Sequence, residues 1–274
     1  MNGMPPQQIP PRPDLPGPSP AWRTPTTVPA PTPRRRTSVV VAVVVAVALF
    51  LTAAGAFIAA IPSLVRPDGD AADHAFLYSP IGSGPARWNP CEPIHYVVNL
   101  DGTDPSALTD VAEATRRISQ ATGIRFIYDG LSDERPIDAR DPVQPQRYGT
   151  GWAPVLVAWS NERETDIPFR AEDDEDAVAV AQPWFAGSDG TIVTGWIVVN
   201  EDYPLPPGFS IPGSRGVTLL HEWGHIMGLD HTNSEAEVMH PSGGYATDLG
   251  PGDLAGLREL GIEEGCRTTP AATD

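Results

Sequence analysis

The sequence contains no lysine, and its 18 basic residues, all of them arginine, are outnumbered by 35 acidic residues. The shortage of positive charge is greatest in residues 67–274, which hold 12 arginines and 34 acidic residues. Such an acidic domain repels the phosphate backbone of nucleic acids. Nucleic acid is therefore excluded as a partner of this part of the chain.

Charged residues are absent from residues 39–61, where Val, Ala, Leu, Ile and Phe predominate. These 23 residues would span about 35 Å as a helix, enough to cross a hydrocarbon core of about 30 Å. A cleaved signal peptide is the alternative, but its apolar region has only about 7 to 15 residues and follows a short leader. The sequence favours an uncleaved signal anchor, a single transmembrane helix within residues 39–65.

The charges on either side of this segment predict its orientation. Arg34, Arg35 and Arg36 precede it closely, whereas only Arg66 follows it closely. Because flanking positive charge stays on the cytoplasmic side, the N-terminus is predicted to be cytoplasmic and residues 67–274 extracytoplasmic. We therefore expect a single-pass protein of the cell membrane.

Proline helps to divide the chain, since 12 of its 32 prolines lie in the first 33 residues. Residues 1–38 are predicted to form a disordered cytoplasmic tail, which is either solvated or a ligand for a proline-recognising partner. Residues 66–86 contain many Pro, Gly and Asp and are predicted to be a linker. The folded domain is then expected to comprise residues 87–274.

Cysteine is scarce, and the only two, Cys91 and Cys266, lie near the two ends of the predicted domain. In an oxidising compartment an isolated pair of this kind favours a disulfide. Closing so long a loop would stabilise the fold by up to about 5 kcal/mol in the chain-entropy model. The alternative is a free thiol that caps a metal site.

Hydrophobic patterns in residues 87–274 predict strands combined with helices. Asp104 is the predicted N-cap of a helix that has Pro105 at its first position. Apolar residues recur at helical spacing after Pro105, so this helix is expected to run to about Ala121 and to end before Gly123. Strands are predicted over residues 93–99, 124–128, 155–159, 177–182 and 191–199. We therefore expect an α+β fold in which helices pack on a twisted mixed sheet.

Five consecutive acidic residues occupy positions 172–176. Such a run is typical of a solvated loop, although in an extracellular protein it can also supply ligands for Ca²⁺. No fixed ligand spacing is visible, so both interpretations stay open.

Three of the six histidines lie within residues 221–231 (His-Glu-Trp-Gly-His-Ile-Met-Gly-Leu-Asp-His). On a helix, His221 and His225 would project from one face, one turn apart. Gly228 can adopt a left-handed conformation, which allows the chain to leave the helix. His231 can then reach, from another direction, an ion that His221 and His225 bind. Three imidazoles with an open fourth position are the ligand set of a catalytic zinc site.

Glu222 follows the first histidine directly and is predicted to be the general base. It would lie beside the metal without being placed to ligate it. It can therefore take the proton from a water made acidic by the zinc and pass it to the leaving amine.

The motif resembles the zinc-binding helix of the metzincin metallopeptidases, and its surroundings are most similar to the matrixin branch. Residues 238–241 (Val-Met-His-Pro) resemble the matrixin Met-turn, and residues 252–257 resemble the start of the C-terminal helix of that family. Upstream, residues 176–183 are similar to the edge strand along which matrixins bind substrate, and residues 87–88 (Arg-Trp) also resemble the family. The resemblance implies a metzincin-like domain with one catalytic zinc and with Met239 in the Met-turn.

Three departures from the matrixins limit what the resemblance implies. His74 and His95 lie too far toward the N-terminus to bind the second, structural zinc of animal matrixins, so only one zinc is expected. The Pro-Arg-Cys-Gly switch of latent matrixins is missing. No Tyr follows Met239 by two residues, so a fifth metal ligand is not expected, and Tyr245 is a candidate for the wall of the substrate pocket.

These features together predict a membrane-anchored, extracytoplasmic zinc endopeptidase that acts on a protein or peptide substrate. The alternative is a cell-surface binding module that keeps the metzincin fold without turnover. The presence of Glu222 and all three ligands favours the enzyme.

Overall fold

The computed structural model describes residues 69–78, 84–170 and 176–272, which fold around a five-stranded sheet. Its helices are α1 (Ala107–Thr122), α2 (Pro145–Tyr148), α3 (Arg215–Met227) and α4 (Pro251–Leu260), followed by a 3₁₀ turn, Ile262–Glu264. Its strands are β1 (Ala75–Phe76), β2 (Ile94–Val98), β3 (Phe126–Leu131), β4 (Val155–Ser160), β5 (Ala179–Ala186), β6 (Thr191–Asn200) and β7 (Leu229–Asp230).

The main sheet has the order β3-β2-β4-β6-β5, and β1 pairs separately with β7. Strands β2, β3, β4 and β6 run parallel, whereas β5 runs antiparallel to β6 and lies at one edge. The expected mixed sheet with packed helices is therefore confirmed. Each predicted strand of the main sheet is present, with its ends shifted by a few residues.

Both faces of the central strands are covered, which explains why β4 and β6 are buried along their whole length. Helices α1, α3 and α4 pack on one face, where Trp223 of α3 lies edge-on to Tyr96 and Phe126. On the other face, Ile167 and Phe169 cover a smaller apolar cluster. The first two histidines of the motif lie on α3 and are thus anchored directly on the sheet.

Helix α1 ends at Thr122, as predicted, because Gly123 adopts a left-handed conformation with φ 72° and donates its N–H to the Ser119 carbonyl. Its beginning differs from the prediction. Asp104 precedes the helix by several residues, and its carboxylate accepts hydrogen bonds from Ser106 and Arg215 instead. A residue expected to cap α1 therefore joins α1 to the first turn of α3.

No helix in the described ranges is long and apolar enough to cross a membrane. The single transmembrane helix that the sequence predicts is consequently not a part of the fold described here, and the predicted fold is corrected to the mixed α/β domain without it. The predicted tail (1–38) and anchor (39–65) lie outside the described residues.

The predicted linker contributes to the folded domain. Ala75 and Phe76 pair antiparallel with Asp230 and Leu229, which directly precede the third histidine of the motif. A two-residue strand is too short to show hydrophobic periodicity and therefore cannot be predicted from the sequence pattern. The ordered structure therefore begins N-terminal to residue 87.

Cys91 and Cys266 form a disulfide whose Cα atoms lie 5.3 Å apart, as the sequence predicts. Next to it, Arg267 donates hydrogen bonds to the Arg87 carbonyl and to Asp189. The disulfide and these contacts fix the C-terminal segment against the beginning of the domain.

Candidate metal centre

The three motif histidines converge on one point. Helix α3 ends at Met227 because Gly228, with φ 111°, turns the chain into β7, and His231 then points back toward the helix. The Nε2 atom of His225 lies 3.1 Å from that of His221 and 3.2 Å from that of His231, and the remaining pair is 3.2 Å apart. In the described part of the chain, these histidines are the one group of three or more side chains placed to share a metal ion.

The spacing fits a zinc ion. Tetrahedral coordination with Zn–N bonds of about 2.0–2.1 Å places neighbouring nitrogens about 3.3–3.4 Å apart, close to the separations found here. Burial and the neighbouring His225 lower the pKa of His221 well below its usual value, and burial and His231 lower that of His225 to about 4. Neutral imidazoles are the form that ligates a metal, so the electrostatics of the site favour metal binding over protonation.

Hydrogen bonds to the backbone orient two of the three rings. His221 donates from Nδ1 to the Val238 carbonyl over 2.7 Å, and His225 donates from Nδ1 to the Leu229 carbonyl over 2.9 Å. With Nδ1 protonated, each ring presents the lone pair of Nε2 to the shared point. Outer contacts of this kind fix the tautomer and the direction of a metal ligand.

Glu222 lies on α3 directly after His221 and is only 4% exposed. Burial raises the pKa of Glu222 to about 8. The charge of a nearby dication would oppose that rise and favour the carboxylate, because opposite charges stabilise each other strongly in a buried site. A buried carboxyl group whose charge depends on an adjacent metal suits proton transfer near neutral pH.

Met239, in the segment that resembles a Met-turn, packs closely against the motif helix. Its side chain is 2% exposed, and a Cβ added to Gly224 would collide with its sulfur atom. The glycine inside the motif therefore allows the turn to approach the helix closely.

Sequence reasoning missed two buried acids that hold this turn. Asp253 accepts hydrogen bonds from the backbone N–H groups of Val238 and Met239, over 2.7 and 3.3 Å, while its own N–H donates to Glu237. Since the Val238 carbonyl accepts from His221, Asp253 supports the His221 ring through one peptide group. Asp253 looks like an ordinary first-turn acid of α4, so its long-range role left no local signal.

Arg215, the first residue of α3, was also missed. Its buried guanidinium donates to Asp110 over 2.7 Å and to Asp104 over 2.7 Å, both outside α3. Burial disfavours its charge, but these hydrogen bonds outweigh the burial and raise the pKa of Arg215. This ion-pair cluster fixes the start of the motif helix against α1.

The remaining histidines are not part of the converging group. His95 binds Asp129 and His74 binds the Ala71 carbonyl, whereas His240 accepts a hydrogen bond from the backbone of Ser242. Tyr245 follows the Met-turn and is 55% exposed. The calcium hypothesis stays a prediction, because residues 171–175 lie outside the described ranges and Asp176 pairs with Arg170.

Neither known protein-family models nor curated proteins match this chain. The resemblance to the metzincins therefore rests on the motif residues themselves.

Proposed function

We propose that the protein is an extracytoplasmic zinc-dependent endopeptidase. The observation that carries the proposal is the convergence of the Nε2 atoms of His221, His225 and His231 at 3.1–3.2 Å. The buried Glu222 directly follows His221 on the same helix. Imidazole also binds other transition metals. Zinc is proposed because a helical His-Glu-x-x-His motif with a third histidine is typical of catalytic zinc sites.

The residues of the site have separate roles in the proposed reaction. A zinc ion, when bound, would act as a Lewis acid that polarises the scissile carbonyl and lowers the pKa of the attacking water. Glu222 accepts a proton from that water and delivers it to the nitrogen of the leaving amine, so that the carboxylate is regenerated. The peptide C–N bond breaks, and a carboxylic acid and an amine are released.

Strand β5 is the proposed binding surface for the substrate. It lies at the edge of the sheet and pairs with β6 on one side only within the described residues. An extended peptide can add to such an edge through backbone hydrogen bonds, which give affinity with little dependence on sequence. Helix α3 packs against β5 and β6, and the Ile226 side chain lies close to Gly195 of β6. A peptide on β5 would thus lie near the metal centre.

The disulfide supports an extracytoplasmic location. Disulfides persist in oxidising compartments and are rare in the cytosol, where thiols are kept reduced. The disulfide between Cys91 and Cys266 closes a loop that contains almost the whole domain. We therefore propose that the domain works in an oxidising compartment.

Digestion of a peptide library by the full-length protein tests this function. We expect internal peptide bonds to be cut, cleavage to stop when a chelator removes the metal, and cleavage to return when zinc is added back. Cleavage that persists in the metal-free protein would contradict the proposal. Absence of any cleavage by the zinc-loaded protein would instead favour the binding-module alternative.

A further inference from the structure

A cavity of about 500 Å³ is lined by none of the residues of the metal centre. It is bounded by residues at the amino ends of the parallel strands β2, β4 and β6, and by Thr269 of the C-terminal segment. Its aromatic lining residues are Trp88, Tyr148 and Trp152, and its charged or titratable ones are Glu92, His95 and Asp129. The lining thus combines aromatic side chains with carboxylates and contains no arginine.

The N–H and O–H groups of the three aromatic residues already donate hydrogen bonds within the protein. The indole N–H of Trp88 donates to the Ile226 carbonyl over 2.8 Å, and that of Trp152 donates to the Pro270 carbonyl over 2.8 Å. The Tyr148 hydroxyl donates to Glu134 over 2.6 Å. These three residues therefore offer a ligand their ring surfaces rather than hydrogen-bond donors.

The titratable residues of the cavity supply acceptors. The His95 ring contacts Asp129 through Nδ1 over 2.8 Å, which leaves further acceptor positions on that carboxylate. Thr269 donates its hydroxyl to Glu92 over 2.8 Å, which uses one of the roughly four acceptor positions of that carboxylate. Among the described lining side chains, Thr150 and Asn89 are the remaining neutral donors. The cavity is rich in acceptors and poor in donors.

We propose that this cavity binds the arginine side chain of a peptide or protein. A guanidinium carries five donors and no acceptor, stacks on aromatic rings and is attracted by carboxylates, so it matches each property of the lining. A sugar would need donors as well as acceptors. The excess of acidic residues in the domain, 34 against 12 arginines over residues 67–274, also attracts a cationic partner. The proposal is independent of peptide hydrolysis.

Isothermal titration calorimetry of the full-length protein with Nα-acetyl-arginine amide, at pH 8 and low salt, tests this site. We expect saturable binding that is about tenfold weaker for the neutral citrulline analogue and is undetectable for N-acetylglucosamine. Equal binding of arginine and citrulline, or binding of the sugar alone, would overturn the proposal. Absence of saturable arginine binding would also overturn it.

Variants test whether arginine binds in this cavity or is attracted only by the negative charge of the whole domain. Replacing both acids, Glu92→Gln with Asp129→Asn, should weaken arginine binding by about tenfold or more. The matched control, Glu162→Gln with Glu164→Gln, changes the charge equally at two exposed residues outside the cavity and should change affinity less than about twofold. Trp152→Leu, which removes one ring, tests the aromatic contribution and should also weaken binding. If the cavity pair and the control pair lost equal affinity for arginine, the binding would reflect only the negative charge of the domain. That result would refute the proposed site.

Discussion

Replacing Glu222 with alanine is expected to lower peptide hydrolysis by about 10² to 10⁴-fold or more while about one zinc per chain is retained. The carboxylate is proposed to move a proton and not to ligate the ion, so its loss affects turnover far more than metal affinity. Metal analysis and the rate of peptide cleavage, measured on the same preparation, check both parts of this expectation.

Two further variants test whether the loss of activity comes from the missing carboxylate of Glu222 and not from altered packing or charge. Glu222→Gln keeps the size of the buried side chain but cannot accept the proton, so it should be as inactive as the alanine variant and should fold normally. Glu263→Ala removes an exposed acid of the 3₁₀ turn and should leave the rate unchanged. Hydrolysis at the unmutated rate by Glu222→Ala would rule out the proposed general base and favour a binding module.

Replacing His225 with alanine is expected to abolish metal binding and hydrolysis together. Two imidazoles cannot hold the ion as three do, and the remaining Nε2 atoms, of His221 and His231, lie 3.2 Å apart with one coordination position lost. Zinc content after dialysis should fall well below one per chain, and the rate should fall in proportion.

His240→Ala is the matched control for the ligand variant. His240 follows the Met-turn residue and accepts a hydrogen bond from Ser242, but it lies outside the triad. Its replacement should leave zinc content near one per chain. If His225→Ala kept its zinc, or if His240→Ala lost it, the assignment of ligands would be wrong.

Local patterns in the sequence predict the elements that position the metal centre. The histidine spacing and Gly228 indicate a helix followed by a turn, and α3 ends where that glycine requires. Buried strands such as β4 and β6 are recognisable because both faces are covered and most of their residues are apolar. In these places, short-range signals are enough.

Contacts between residues far apart in the sequence cannot be predicted from such local patterns. Asp253 and Glu237 support the Met-turn, and Arg215 joins α3 to Asp110, although each looks like an ordinary polar residue in its local sequence. Strand β1 depends entirely on β7, more than 150 residues away, for its pairing. Such contacts appear only when the chain is folded, because they bring together residues from distant segments.

Zinc titration of the chelator-treated full-length protein, with peptide hydrolysis as the readout, tests whether one zinc ion makes the protein active. We expect activity to rise linearly with added zinc, to reach its maximum at about one equivalent per chain, and not to return in the His225→Ala variant. Activity that does not depend on zinc, or that needs a second equivalent, would contradict a single catalytic site built from His221, His225 and His231.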